Sequence, residues 1–125
     1  GSNLANRNTI AATAKHFIGD GATEGGVEGG NAIMTDELMR ERYLPPYAGA
    51  VDQGVAAIMV GFNSYNGLNM HQHRHLVTDV LKNELGFQGV VLTDWNGGLR
   101  FGEPHKVINA GIDMAMQPGN HEEFM

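Results

Sequence analysis

A chain of 125 residues suits one ordinary domain, and an apolar share of 42% is enough for a real core. The net charge of −6 excludes the basic stripe that a nucleic-acid partner requires, and zero cysteines exclude disulfides and thiolate zinc sites. No apolar run approaches the roughly 20 residues of a membrane span, so no membrane partner is expected.

Gly1-Ser2 reads as a cleavage scar of recombinant production, which leaves residues 1–9 as scar and leading segment. The folded unit is expected over 10–118, with 119–125 as a tail. Its first strand is Ala11–Phe17, an apolar run that ends in Lys15 and His16. Glycines crowd 19–30 and mark a long loop; Glu24 and Glu28 in it read as solvated, and Asp20 as a brace for backbone N–H groups. Thr35 is placed to cap a helix running to about Tyr43, with Asp36 and Glu37 favourably set in its first turn. Pro45-Pro46 interrupts it, and Pro46 suits the first position of a second helix through Val51. A strand follows over Ala56–Phe62.

The next helix spans roughly His73–Leu85, with Leu76, Val77, Val80 and Leu81 on one face and Gly86 just past its end. Of His71, His73 and His75, only the first and last would share a helix face, and two histidines without a carboxylate make a poor metal site. The third strand, Gly89–Trp95, is β-branched and stops abruptly at Asp94. A short helix, Pro104–Ala110, leads to a fourth strand over Ile112–Met116. Met59, Met114 and Met116 read as core. The order βαβαβαβ implies an α/β fold: a partial (β/α) barrel of four parallel strands with crossover helices, half of a TIM-like barrel. Strand ends at one rim carry the polar residues, as ligand sites on such folds do.

Several of these stretches follow one another in register: Lys15-His16-Phe17-Ile18-Gly19-Asp20-Gly21, Met59-Val60-Gly61-Phe62-Asn63-Ser64-Tyr65-Asn66-Gly67, Met70-His71, Leu85-Gly86-Phe87, Thr93-Asp94-Trp95 and Gly111-Ile112-Asp113. The set resembles glycoside hydrolase family 3, particularly its β-glucosidases and exo-β-glucanases, over about Ile10 to Pro118. The resemblance implies the second half of a TIM-like barrel in a retaining exo-glycosidase that takes terminal β-D-glucosyl residues from a β-glucoside or β-glucan oligosaccharide. It implies Asp94 as nucleophile, Lys15 and His16 as donors to sugar hydroxyls, and Trp95 beside them. Phe62 falls where many relatives carry a tyrosine, so one hydrogen bond is lost there. No metal or cofactor is expected. Family members are often periplasmic or secreted.

A retaining mechanism also needs a carboxylic acid roughly 5–5.5 Å from the nucleophile. Relatives take theirs from a following domain, or from an Asp-x-His pair in the loop after the Lys-His strand; loop 20–30 holds no histidine. The chain alone is therefore expected to be inactive. A half barrel leaves two open edges, so self-association of the chain is expected. The alternatives are a non-catalytic half-barrel module or a weak sugar-binding remnant.

Overall fold

The computed structural model describes residues 7–100, 103–119 and 122. In chain order the elements are β1 (Thr13–Phe17), β2 (Asn31–Ala32), α1 (Asp36–Leu38), α2 (Pro45–Asp52), β3 (Ala57–Val60), β4 (Ser64–Tyr65), β5 (Leu68–Asn69), β6 (Val90–Leu92), α3 (Gly97–Arg100) and α4 (Pro104–Asn109). A wider π-type turn, Met39–Tyr43, extends α1, and a π-type helix, His75–Glu84, leads from β5 toward β6.

The apolar runs pair as a parallel sheet in the order β1-β3-β6, with Ala14 beside Ile58 and Ile58 beside Val91. The fourth stave is present in reduced form. Leu92 bridges Met114 in parallel, Met114 N–H donates to Val91 O (3.1 Å), and Thr93 N–H donates to Met114 O (3.0 Å). The Asp113 side chain explains the reduction: its Oδ2 takes the Val91 N–H at 2.9 Å, where a ladder carbonyl would otherwise stand. The fold is thus an α/β partial barrel, parallel strands joined by helical connections.

Helices form where their ends can be satisfied. Thr35 Oγ1 accepts the Leu38 N–H at 3.2 Å, as its position predicts. Thr35→Ala is expected to cost about 1 kcal/mol in urea unfolding, with Thr35→Ser close to neutral. The second helix starts one residue earlier than expected, at Pro45, because first-turn N–H groups lack partners anyway and two successive prolines fit there. The last turn of His75–Glu84 closes with Leu85 N–H on Val80 O, and Gly86 follows at φ +68°, the left-handed conformation expected just past a helix end.

The helices cover the sheet through Phe17, Met39, Ile58, Leu76, Leu81 and Val91, all fully buried. Met114 does not belong to this core, being 50% exposed, since it sits on the reduced outer stave. A second small sheet, β2-β4-β5, lies over the rim. Its β4–β5 hairpin turns at Asn66-Gly67, both with positive φ, and Asn66 ties it down by exchanging side-chain bonds with Met34 N–H (3.0 Å) and Met34 O (2.8 Å).

Candidate functional site

The ends of β1 and β6 converge at one rim. Asp94 follows Leu92 and the buried Thr93, and His16 lies in β1. Oδ2 of Asp94 stands 3.3 Å from Nε2 of His16, and Nδ1 of the same ring is 3.5 Å from Oδ2 of Asp20. One imidazole is therefore flanked by two carboxylates, one at each ring nitrogen. Asp20 reaches His16, and among the described residues its carboxylate braces no N–H of its own loop, which bends through a short turn after Gly19. The backbone carbonyl of His16 accepts the Tyr47 hydroxyl at 2.5 Å. Burial, helped by the Asp20 charge, pushes the Tyr47 phenol up to about 12, so it stays a donor at neutral pH.

The Asp94 carboxylate is fixed from several sides. Its Oδ1 accepts the Trp95 N–H at 2.6 Å, and its backbone N–H donates to Nε2 of His71 at 3.1 Å. Its side chain keeps 16% exposure, enough to present an oxygen to a ligand. His71 is fully buried, and burial pushes its imidazole down to about 4 against the upward pull of Asp94.

The remaining expected residues spread around this pair. Trp95 stands 57% exposed beside the carboxylate. Phe62, just past β3, is half-buried; its ring lies 6.0 Å from that of His71, and the Arg100 guanidinium lies over it at 4.7 Å. Lys15 is exposed and lines a cleft of about 600 Å³ with His16, Asp20, Arg42, Tyr43 and Tyr47. His16 is common to the cleft and the carboxylate. Among the described residues, no ion pair links Lys15 to Asp94. Glu24 and Glu28 are exposed.

His71 does not share a helix face with His75: it sits in the turn Met70–Gln72 before the helix, and His75 faces Asp79 at 3.4 Å. Among the described residues no three metal-ligating side chains converge. Sequence reasoning missed the link from His71 to Asp94, 23 residues apart; the only trace of it was that Met70-His71 and Thr93-Asp94 both stand among the stretches that carry the family resemblance.

The backing of this loop is tight. A Cβ at Gly97 would overlap the His71 ring and lie 2.9 Å from Thr93 Cβ. Gly97→Ala is expected to cost about 1–3 kcal/mol in thermal or urea unfolding, since both neighbours are themselves packed.

The arrangement offers a largely buried carboxylate that still reaches the surface, with an imidazole at hydrogen-bonding range, suited to attack or grip at a neutral, hydroxylated ligand. Known proteins resemble the chain over nearly its whole length. The profile described as "Glycosyl hydrolase family 3 N terminal domain" matches residues 4–124. A β-xylosidase of Formosa agariphila is 34% identical over 99% of this chain and 19% of its own length. A periplasmic β-glucosidase of Salmonella typhimurium is 31% identical over the whole chain and 18% of its own length. Among solved structures, a mutant exo-1,3/1,4-β-glucanase from a Pseudoalteromonas species superposes with a TM-score of 0.92 at 43% identity, covering 99% of this chain and 21% of that one. A β-glucosidase from Listeria innocua in complex with glucose superposes with a TM-score of 0.81 at 30% identity, over 86% of this chain and 16% of that one. The chain thus spans about a fifth or less of the length of these relatives.

Proposed function

Because the chain belongs to glycosyl hydrolase family 3, within its N-terminal domain, we propose that it supplies the nucleophile-bearing part of a retaining, exo-acting β-glucosidase. The single observation that carries this reading is the meeting of Asp94 and His16, delivered by β6 and β1 to one rim. Asp94 Oδ2 attacks the anomeric carbon as the glycosidic bond breaks, and a glycosyl ester forms. The departing oxygen takes its proton from a carboxylic acid, and water then releases the sugar through the same ester. Lys15 and His16 donate to sugar hydroxyls, the exposed Trp95 offers a stacking face, and Phe62 lines the wall. Residues 10–118 form the folding unit.

The proton donor is not drawn from the residues around Asp94. Asp20, which shares His16 with it, sits across the ring at the other nitrogen, on the far side of the imidazole from the Asp94 carboxylate. The 125-residue chain alone is therefore expected to turn over aryl glucosides poorly. Glucose as the sugar rests on the likeness to an exo-1,3/1,4-β-glucanase and to a β-glucosidase in complex with glucose, with xylose as the outcome that would redirect it.

The test is a segment exchange. The corresponding stretch of the Pseudoalteromonas exo-1,3/1,4-β-glucanase is replaced by this chain, and aryl β-glucoside hydrolysis is measured. Turnover supports the reading; a folded exchanged enzyme without turnover counts against it.

A second reading concerns assembly. Among the described residues β1 pairs only with β3, and on the outer stave at the other edge Met114 lies 50% exposed. Such an edge invites another strand. Two copies of the isolated chain are expected to associate, giving a dimer mass in light scattering; a monomer with a sharp cooperative melt would contradict this.

A further inference from the structure

We infer that His71 is the positioning residue for the Asp94 carboxylate, a neutral imidazole held in one tautomer whose bare Nε2 grips the Asp94 backbone. The inference deepens the proposed function and rests on it for the role of Asp94. Its geometry is independent. Asn69 sets the tautomer. The Asn69 Nδ2 donates to Phe62 O at 2.9 Å, so its Oδ1 is the acceptor end. That oxygen receives the His71 backbone N–H at 2.9 Å and faces His71 Nδ1 at 3.2 Å. Nδ1 therefore carries the proton, and Nε2 keeps its lone pair. The Asp94 peptide N–H, which can only donate, lies 3.1 Å from that lone pair. The opposite tautomer, or the imidazolium, would set two donors face to face.

The consequence falls on the carboxylate. Asp94 is bonded on both sides of its Cα, through its own N–H to His71 and through Oδ1 to the Trp95 N–H. Releasing the first bond loosens the backbone that carries the carboxylate and so the aim of Oδ2 at the rim. The ring has no slack of its own: it is fully buried, packed near Phe62 and closed off by Gly97, where a Cβ would strike it. Among the described residues the charged group that acts on it is Asp94, and the Arg100 guanidinium lies over the neighbouring Phe62 ring. Burial favours the neutral form that the tautomer requires.

A histidine needed only for shape would be replaced by phenylalanine without consequence for Asp94. One needed as an acceptor would be replaced by glutamine, whose Oε1 falls near the place of Nε2. The experiment uses the whole chain labelled with nitrogen-15 and carbon-13. Long-range proton–nitrogen spectra are expected to show His71 as a single Nδ1–H tautomer, unchanged from about pH 7.5 to about 5.5. Exchange of the Asp94 amide proton is expected to quicken about tenfold in His71→Phe, with Cα–Cβ couplings of Asp94 averaging over rotamers, and to stay within about threefold of the parent in His71→Gln. An Nε2–H tautomer or a fast-exchanging mixture in the parent chain would overturn the inference. So would equal loosening of Asp94 by glutamine and phenylalanine. If neither variant folds, the parent tautomer decides. The segment exchange judges the glycosidase reading separately: an inactive, folded exchanged enzyme with the Nδ1–H tautomer intact removes that reading and leaves the His71–Asp94 link standing.

Discussion

Asp94→Asn is expected to lower kcat of the segment-exchanged glucanase by roughly 10⁴-fold or more, with KM changed by no more than about threefold. The size follows from the step removed. An amide cannot form the glycosyl ester, so the two-step route through a covalent intermediate closes, and roughly 5 kcal/mol or more of barrier lowering goes with it. The substitution is isosteric, and the asparagine oxygen can still accept the Trp95 N–H that Asp94 Oδ1 now accepts. Loss of structure is therefore not the expected cause. Asp94→Gly with added azide provides a second readout. A small anion entering the vacated space attacks from the nucleophile's side and yields the α-glucosyl azide. A modest loss in Asp94→Asn, within about tenfold, would mean that another group makes the covalent bond.

Acid is expected to weaken the fold through His71 before the carboxylates titrate fully. The imidazole titrates near 4 in the folded chain, against about 6.5 when unfolded. Between those values the unfolded chain binds more protons, so protonation favours unfolding. The stability is complete above about pH 6.5 and declines as pH falls toward 4, by about 3 kcal/mol at the limit. His73 adds in the same direction, pushed down first by burial and then by the neighbouring His75. Urea unfolding at about pH 7, 5.5 and 4.5 reads the slope. His71→Gln removes this titration and should flatten the curve between about pH 6.5 and 5, where carboxylates contribute little. Superimposable curves for parent and variant would contradict the account.

How far the sequence is legible depends on the range of the cause. Thr35 and Gly86 act within one turn of their own positions, and both are found capping as read. The strand ends at His16 and Asp94 are also local: an apolar run stops, and the residue after it stands at the rim. The arc of parallel strands follows from that same pattern. The β4–β5 hairpin was legible and overlooked, since Asn66-Gly67 is a strong two-residue turn signal lying between short strands. The fourth stave looked equal to the others because Ile112–Met116 is apolar, yet its pairing is cut short by the Asp113 side chain, a competition that hydrophobic pattern does not encode. The π-type turns at Met39–Tyr43 and His75–Glu84 depend on tertiary packing, and their apolar spacing reads as ordinary helix.

The site shows the same division. Lys15, His16, Phe62, Asp94 and Trp95 stand out by position, but the sequence does not give their mutual distances. Lys15 lines the cleft that His16 shares, and among the described residues no ion pair joins it to the carboxylate, which the strand pattern alone does not encode. The hold of His71 on Asp94 joins a rim turn to a strand end, and it exists only because Gly97 leaves room for the ring.

The central claim, that Asp94 makes the covalent bond to the sugar, is tested most directly by trapping. A 2-deoxy-2-fluoro-β-glucoside with a good leaving group needs no proton donor for its first step, and its slowed second step lets the ester accumulate. Peptide mass spectrometry of the exchanged enzyme should then find one fluoroglucosyl group, carried by the peptide containing Asp94 and absent in Asp94→Asn. A stable adduct on any other carboxylate, in an enzyme that still turns over substrate, would contradict the account.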